Sequence, residues 1–167
     1  MTANSLAWET LVKEYYPRIY AYALKLLGSE ADAEDIAQEV FLKAFKSKKQ
    51  DLSPLALKQW LYVVARNRCI DKQRWWKRRR LLFQSGELEG QSSSANEPTI
   101  FLSRLLTKIP PRQREVFILR HWHDFSTQAT AKLLGISTGT VKSSLKKAIH
   151  TIKEELKKEQ ESNQNLS

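Results

Sequence analysis

The stretch QSGELEGQSSSANEPT, residues 84 to 99, limits the fold more than any other part of the chain. It carries three acids (Glu87, Glu89 and Glu97), no base and no apolar periodicity, so it has no face to bury and reads as a flexible linker. Whatever lies on either side must therefore fold by itself. On both sides apolar residues recur at three- and four-residue spacing rather than alternating, and only 5 Gly and 5 Pro occur in 167 residues. Strand signals are nearly absent. The expected fold class is all-α: two small helical domains, 1–83 and 100–158, on an acidic linker, 84–99, with a disordered tail, 159–167.

In the first domain, Trp8, Leu11, Val12, Tyr15, Tyr16, Ile19, Tyr20, Ala23, Leu26 and Leu27 mark one apolar helix face. Pro17 interrupts it, which predicts a kink or two abutting helices, and Gly28 ends it. Ser29 then caps SEADAEDIAQEVFLKAFKS, whose acids occupy the first turn and whose lysines lie toward its end, both favourable to the helix dipole. Ile36, Val40, Phe41, Ala44 and Phe45 supply its buried face. After a loop closed by Pro54, a third helix runs through Leu57, Trp60, Leu61 and Val64, with Trp60 expected in the core. It continues into RNRCIDKQRWWKRRR, residues 66 to 80, where eight Lys or Arg side chains meet one acid, Asp71. Trp75 and Trp76 are about 100° apart on such a helix, so one packs while the other is exposed.

Formal net charge is +10 and the sequence pI about 9.8, which favours a polyanionic partner. Cys69 is the only cysteine; it excludes an internal disulfide and a Cys-based metal site and reads as a buried structural thiol. HWHDF, residues 121 to 125, lacks further ligands to complete a metal set and reads as a helix end packing Trp122. No metal, no cofactor and no catalytic cluster are expected, hence no enzyme. No run reaches the roughly 18 to 20 apolar residues of a membrane span, and MTANSLAWETL lacks a signal-peptide pattern, so the expected location is the cytoplasm.

The second domain contains STQATAKLLGISTGTVKSSLKKAIHTIKEEL. A short helix, Thr127 to Leu134, meets Gly135, and Ser137 caps a longer helix. Small Ala131, turn-forming Gly135 and apolar Val141 have the spacing of a helix-turn-helix, whose second helix enters the major groove by its N-terminal end. Thr138, Thr140, Lys142, Ser143 and Lys146 lie where groove-facing side chains belong: hydroxyls suit base edges or phosphates, lysines chiefly phosphates. An ordinary helical hairpin with a basic face is the alternative.

DAEDIAQEVFLKAF, WLYVVARNRCIDKQR, IPPRQREVFILRHW and LLGISTGTVKSSLKKA follow one another in the order of bacterial sigma factors. The chain resembles the extracytoplasmic-function (ECF) subfamily, over nearly its whole length. The resemblance implies that Asp35, Gln38 and Glu39 dock on the clamp helices of RNA polymerase core, with the flap as a further contact. It implies that the basic helix and the loop before it meet the −10 promoter element as the duplex opens, through Lys48, Lys49, Asp51, Arg66, Asn67, Arg74, Trp75, Trp76, Lys77 and Arg78. Cations along phosphates and surfaces that accept unstacked bases are what strand separation requires. The helix-turn-helix residues would read the −35 element. The linker would thread toward the active-site cleft, although a plain tether fits its composition equally.

An anti-sigma factor is a further candidate partner, one that would hold the protein at the membrane when the inhibitor is membrane-bound. A stand-alone helix-turn-helix regulator is the alternative function. Two departures from the family stand out: Ala129-Thr130-Ala131 puts Thr where an apolar residue packs, and Ser144 stands where arginine is common. Lysine reproduces arginine's bidentate contact with guanine poorly, so −35 preference differs from the family's usual one or the contacts are weaker.

Overall fold

A computed structural model describes residues 3–82 and 97–164. They form two compact units divided between residues 93 and 94. The first holds helices α1 (Ala3–Leu27), α2 (Glu30–Lys46) and α3 (Pro54–Leu82), the second α4 (Glu97–Thr107), α5 (Pro111–His121), α6 (Thr127–Leu134) and α7 (Thr138–Gln164). Most of the expected linker, with Glu87 and Glu89, lies outside the described residues. Glu97, Pro98 and Thr99, expected in that linker, instead form the first turn of α4. Proline suits that position because the first amides of a helix have no intrahelical acceptor.

In the first unit α1 is one helix with Pro17 inside it, which removes the expected alternative of two abutting helices. Proline there cannot return a hydrogen bond to the preceding turn. Fully buried Ile19, Tyr22 and Ala23 anchor the turns that follow in the core. Gly28, at φ 70°, closes the helix by donating its amide to Leu24 O at 2.7 Å. Ser29 Oγ accepts from the Asp32 amide at 3.3 Å and starts α2.

Ala33, Ile36, Ala37, Val40, Phe41 and Ala44 bury the inner face of α2. Phe45 does not join them: it is 58% exposed, lying at the edge of that face with its ring 5.3 Å from that of Trp8. A 3-10 turn, Lys49–Asp51, leads to α3, where Ser53 Oγ accepts from the Ala56 amide. Leu57, Leu61, Tyr62, Val64, Ala65 and Cys69 carry α3 into the core, and the Tyr22 and Tyr62 rings meet edge-on at 5.2 Å. Each large apolar side chain so buried contributes roughly 1.5 to 3 kcal/mol relative to exposure. Trp60 lies only half-buried, offset from the Leu57–Leu61–Val64 stripe, with the Lys49 ammonium 5.5 Å from its ring.

In the second unit Leu106, Ile109 and Ala148 form a core against which Leu102, Phe117 and Ile152 pack. Arg114 caps the end of α4 by donating from Nη2 to Thr107 O at 3.3 Å and Ile109 O at 3.1 Å. Helix α7 continues through Gln164, so residues 159–164 are helical rather than a disordered tail. No Gly or Pro breaks that segment, and Lys157–Glu154 and Lys158–Glu155 pairs at 3.4 and 2.6 Å lie in the turn just before it. No described helix is long and apolar enough to cross a membrane.

Candidate polymerase and nucleic-acid interfaces

The outer face of α2 follows from its inner one. With Ile36, Ala37, Val40 and Phe41 turned inward, Asp35, Gln38 and Glu39 are left exposed. Gln38 Nε2 donates to Glu34 Oε1 one turn earlier at 3.4 Å. The same face continues into Leu42 and Phe45, 54% and 58% exposed, so it is acidic at one end and apolar at the other. Sequence reasoning missed this apolar half because Phe45 fits the inner periodicity as well as the outer.

The acids of α2 are not isolated from the bases of α3. Arg68 Nη2 lies 2.8 Å from Glu39 Oε1, and Lys72 Nζ lies 2.7 Å from Asp32 Oδ1. A groove of about 490 Å³ between the two helices is lined by Asp35, Asp71, Trp75 and Arg78 along with those pairs. Trp75 is 44% exposed, with the Lys72 ammonium and the Arg79 guanidinium 5.3 and 5.1 Å from its ring centroid. Trp76 is half-buried.

Helical geometry sorts the remaining bases. At about 100° per residue, Arg66, Arg74 and Lys77 fall within an arc of about 80° on α3, with Asn67 and Ile70 beside them. Arg68, Lys72, Trp75 and Arg79 fall on roughly the opposite side. Arg74, Lys77 and Asn67 are exposed and Arg66 half-buried. In the loop before α3, Lys48 (φ 48°) and Asp51 are exposed, whereas Lys49 is half-buried against Trp60.

In the second unit Ser126 caps α6 through the Ala129 amide at 3.0 Å. Gly135, at φ 65°, ends that helix, and the Ile136 amide returns to Ala131 O at 3.0 Å. Ser137 Oγ accepts from the Thr140 amide at 3.0 Å and starts α7. Buried Ala131, Leu134 and Val141 hold α6 on α7. This is a helix-turn-helix, with the start of α7 uncovered. Thr138, Thr140, Lys142, Ser143 and Lys146 are all exposed along it.

The hydroxyls there are partly engaged. Thr140 Oγ1 and Ser137 Oγ share a 2.8 Å hydrogen bond, and Ser143 Oγ donates to Thr140 O at 3.1 Å. Ser144 is 7% exposed, so this departure from the family concerns the interior and not a groove-facing position. Thr130 is fully buried, and its Oγ1 has no hydrogen-bond partner.

The HWHDF segment forms the turn into the helix-turn-helix. The His121 ring lies 4.6 Å from that of Phe117, His123 is buried, and Asp124 adopts φ 54°. Arg120 Nη1 donates to Phe125 O across this turn.

Residues 11–80 match the family model for sigma-70 region 2, and residues 102–152 that for sigma-70, region 4. The ECF RNA polymerase sigma factor SigL of Mycobacterium tuberculosis is 33% identical over 161 residues, spanning 90% of this chain and 89% of its own. The RNA polymerase sigma factor YlaC of Bacillus subtilis is 28% identical, spanning 92% and 94%. Among solved structures, the sigma factor RpoE of Bartonella quintana, in complex with the anti-sigma factor NepR, superposes with a TM-score of 0.75 at 25% identity. That match covers 89% of this chain and 96% of RpoE. Each matched region occupies one helical unit, and the relatives align along most of their length: the chain belongs to the ECF family of RNA polymerase sigma factors.

Proposed function

We propose that the chain is a dissociable specificity subunit that docks on RNA polymerase core through α2, engages the −10 element through α3 and the loop before it, and engages the −35 element through α7. The observation that carries this reading is the segregation of charge within the first unit. Asp35, Gln38 and Glu39 form an exposed face on α2, while Arg66, Arg74 and Lys77 form a separate basic face on α3. Two surfaces of opposite charge suit two partners, one protein and one nucleic acid. Exposed Thr138, Lys142 and Lys146 at the start of α7 suit the major groove of a second, upstream element. Lys48, Lys49 and Asp51, immediately before α3, suit an unpaired −10 base.

Strand separation follows the same logic. The bases of α3 hold phosphates, and apolar surface beside them, including Val63 at 38% exposure, accepts unstacked bases. The protein performs no covalent chemistry in this scheme; it positions polymerase, in the cytoplasm. The RpoE–NepR complex supports an anti-sigma factor as a regulatory partner for this chain too. The test is core binding and promoter-dependent transcription by the Gln38→Lys/Glu39→Lys double variant. Loss of both with helicity intact is expected; unchanged core affinity removes the docking assignment.

A further inference from the structure

We infer that the groove between α4 and the far end of α7 is a self-association surface, taken by the same groove of a second copy of this chain. The groove has a volume of about 190 Å³ and lies wholly within the second unit. Its apolar lining is Phe101 and Leu105, both half-buried. Arg104 and Lys108 form the wall on the α4 side, Glu155 and Glu159 the wall on α7.

These walls face each other without closing. Glu155 is held by Lys158 of its own helix at 2.6 Å, whereas Arg104, Lys108 and Glu159 form no ion pair among the described residues. Lys158, and after it Lys108 across the groove, keeps the Glu155 carboxyl below its usual range. Helical spacing explains why the space stays open. Val141, Ala148 and Ile152 lie on the stripe of α7 that meets the core, and Glu155 and Glu159 continue that stripe. The stripe thus turns from apolar to acidic, and no apolar side chain of α7 lines the groove. Leu156, next to Glu155, is 38% exposed. This end of α7, from Lys153 to Gln164, runs past the residues matched to region 4.

The charge pattern selects the occupant. A wholly acidic or wholly basic partner would meet like charge on one wall. Two bases facing two acids are matched by the same pattern turned around. A two-fold axis along the groove does this, setting Arg104 and Lys108 of each copy opposite Glu155 and Glu159 of the other. Phe101 and Leu105 of both copies then meet near the axis and lose water.

Sedimentation equilibrium of the full chain over a wide concentration range tests this, with circular dichroism on every variant. The parent should dimerise reversibly. Glu155→Lys/Glu159→Lys makes both walls basic, and Arg104→Glu/Lys108→Glu makes both acidic. Each variant alone should dimerise at least tenfold more weakly than the parent. An equimolar mixture of the two should regain dimers, because an all-basic groove then meets an all-acidic one; misfolded variants could not do so. Glu159→Lys alone, at an exposed position, should already weaken the dimer. A parent that stays monomeric at every concentration overturns the inference, as does undiminished dimerisation of the variants or a mixture that stays monomeric. A monomeric parent whose variants instead lose affinity for core polymerase would also overturn it, and would assign the groove to that partner.

Discussion

Arg68 and Glu39 meet at 2.8 Å across the α2–α3 interface, so an acid proposed to dock polymerase is at the same time an internal tie between two helices. The pair is 40% and 48% exposed, and an exposed pair contributes less than about 1 kcal/mol to stability. Structural and docking roles can therefore be separated by exchanging the charges. Glu39→Arg/Arg68→Glu should unfold within about 1 kcal/mol of the parent in urea and yet lose core binding at least tenfold. A swap that restores both stability and core affinity would make Glu39 a purely internal tie.

The two arcs of α3 predict different salt responses. Replacing Arg74 and Lys77 by Gln removes two cations from the arc proposed to face DNA. The slope of log affinity against log salt for holoenzyme on promoter DNA should shallow by roughly 1.4 to 1.8. Arg79→Gln, on the opposite arc, should leave that slope unchanged. Equal effects of the two would mean that helix rotation does not sort these cations.

Thr130 is the clearest point of strain in the helix-turn-helix. Its hydroxyl is buried without a partner, a loss of hydration that nothing repays. Thr130→Val keeps the shape and removes the polar atom, and should stabilise the second unit by about 1 kcal/mol. Thermal unfolding of the full chain should report a transition several degrees higher; an unchanged or lower midpoint would indicate that the hydroxyl contributes favourably.

Gly135 predicts the opposite sign. An added Cβ meets nothing within 4 Å, so any cost comes from the backbone at φ 65° and not from a clash. Gly135→Ala should therefore cost about 1 kcal/mol, while Gly135→Asn, which tolerates this conformation better, should cost less. Urea midpoints for the two variants rank the effects.

The helix-turn-helix was legible in the sequence because its signals are local. Ser126, Gly135 and Ser137 each act on amides or carbonyls within one turn, and α6 spans the expected Thr127–Leu134. Phe45 and Trp60 were misplaced because their burial depends on neighbours distant in sequence. A residue at the rim of an apolar arc satisfies the periodicity whether or not another helix arrives to cover it. The end of α7 was missed for a different reason: polarity suggested a tail, but a polar run without Gly or Pro can continue a helix already begun. The pairing of Glu39 with Arg68 and Asp32 with Lys72 could not be read from sequence at all, since it depends on how α2 and α3 are aligned. The acidic helix looked like an isolated island, whereas two of its carboxylates are met by bases of the helix beside it.

In vitro transcription from fragmented genomic DNA, with purified core polymerase and with or without this protein, tests the central claim most directly. Mapped 5′ ends should reveal new start sites that share motifs at two upstream positions, and these should vanish with the Gln38→Lys/Glu39→Lys variant. Sequence-specific DNA binding without core, and no new starts with it, would contradict the account and identify a stand-alone helix-turn-helix regulator.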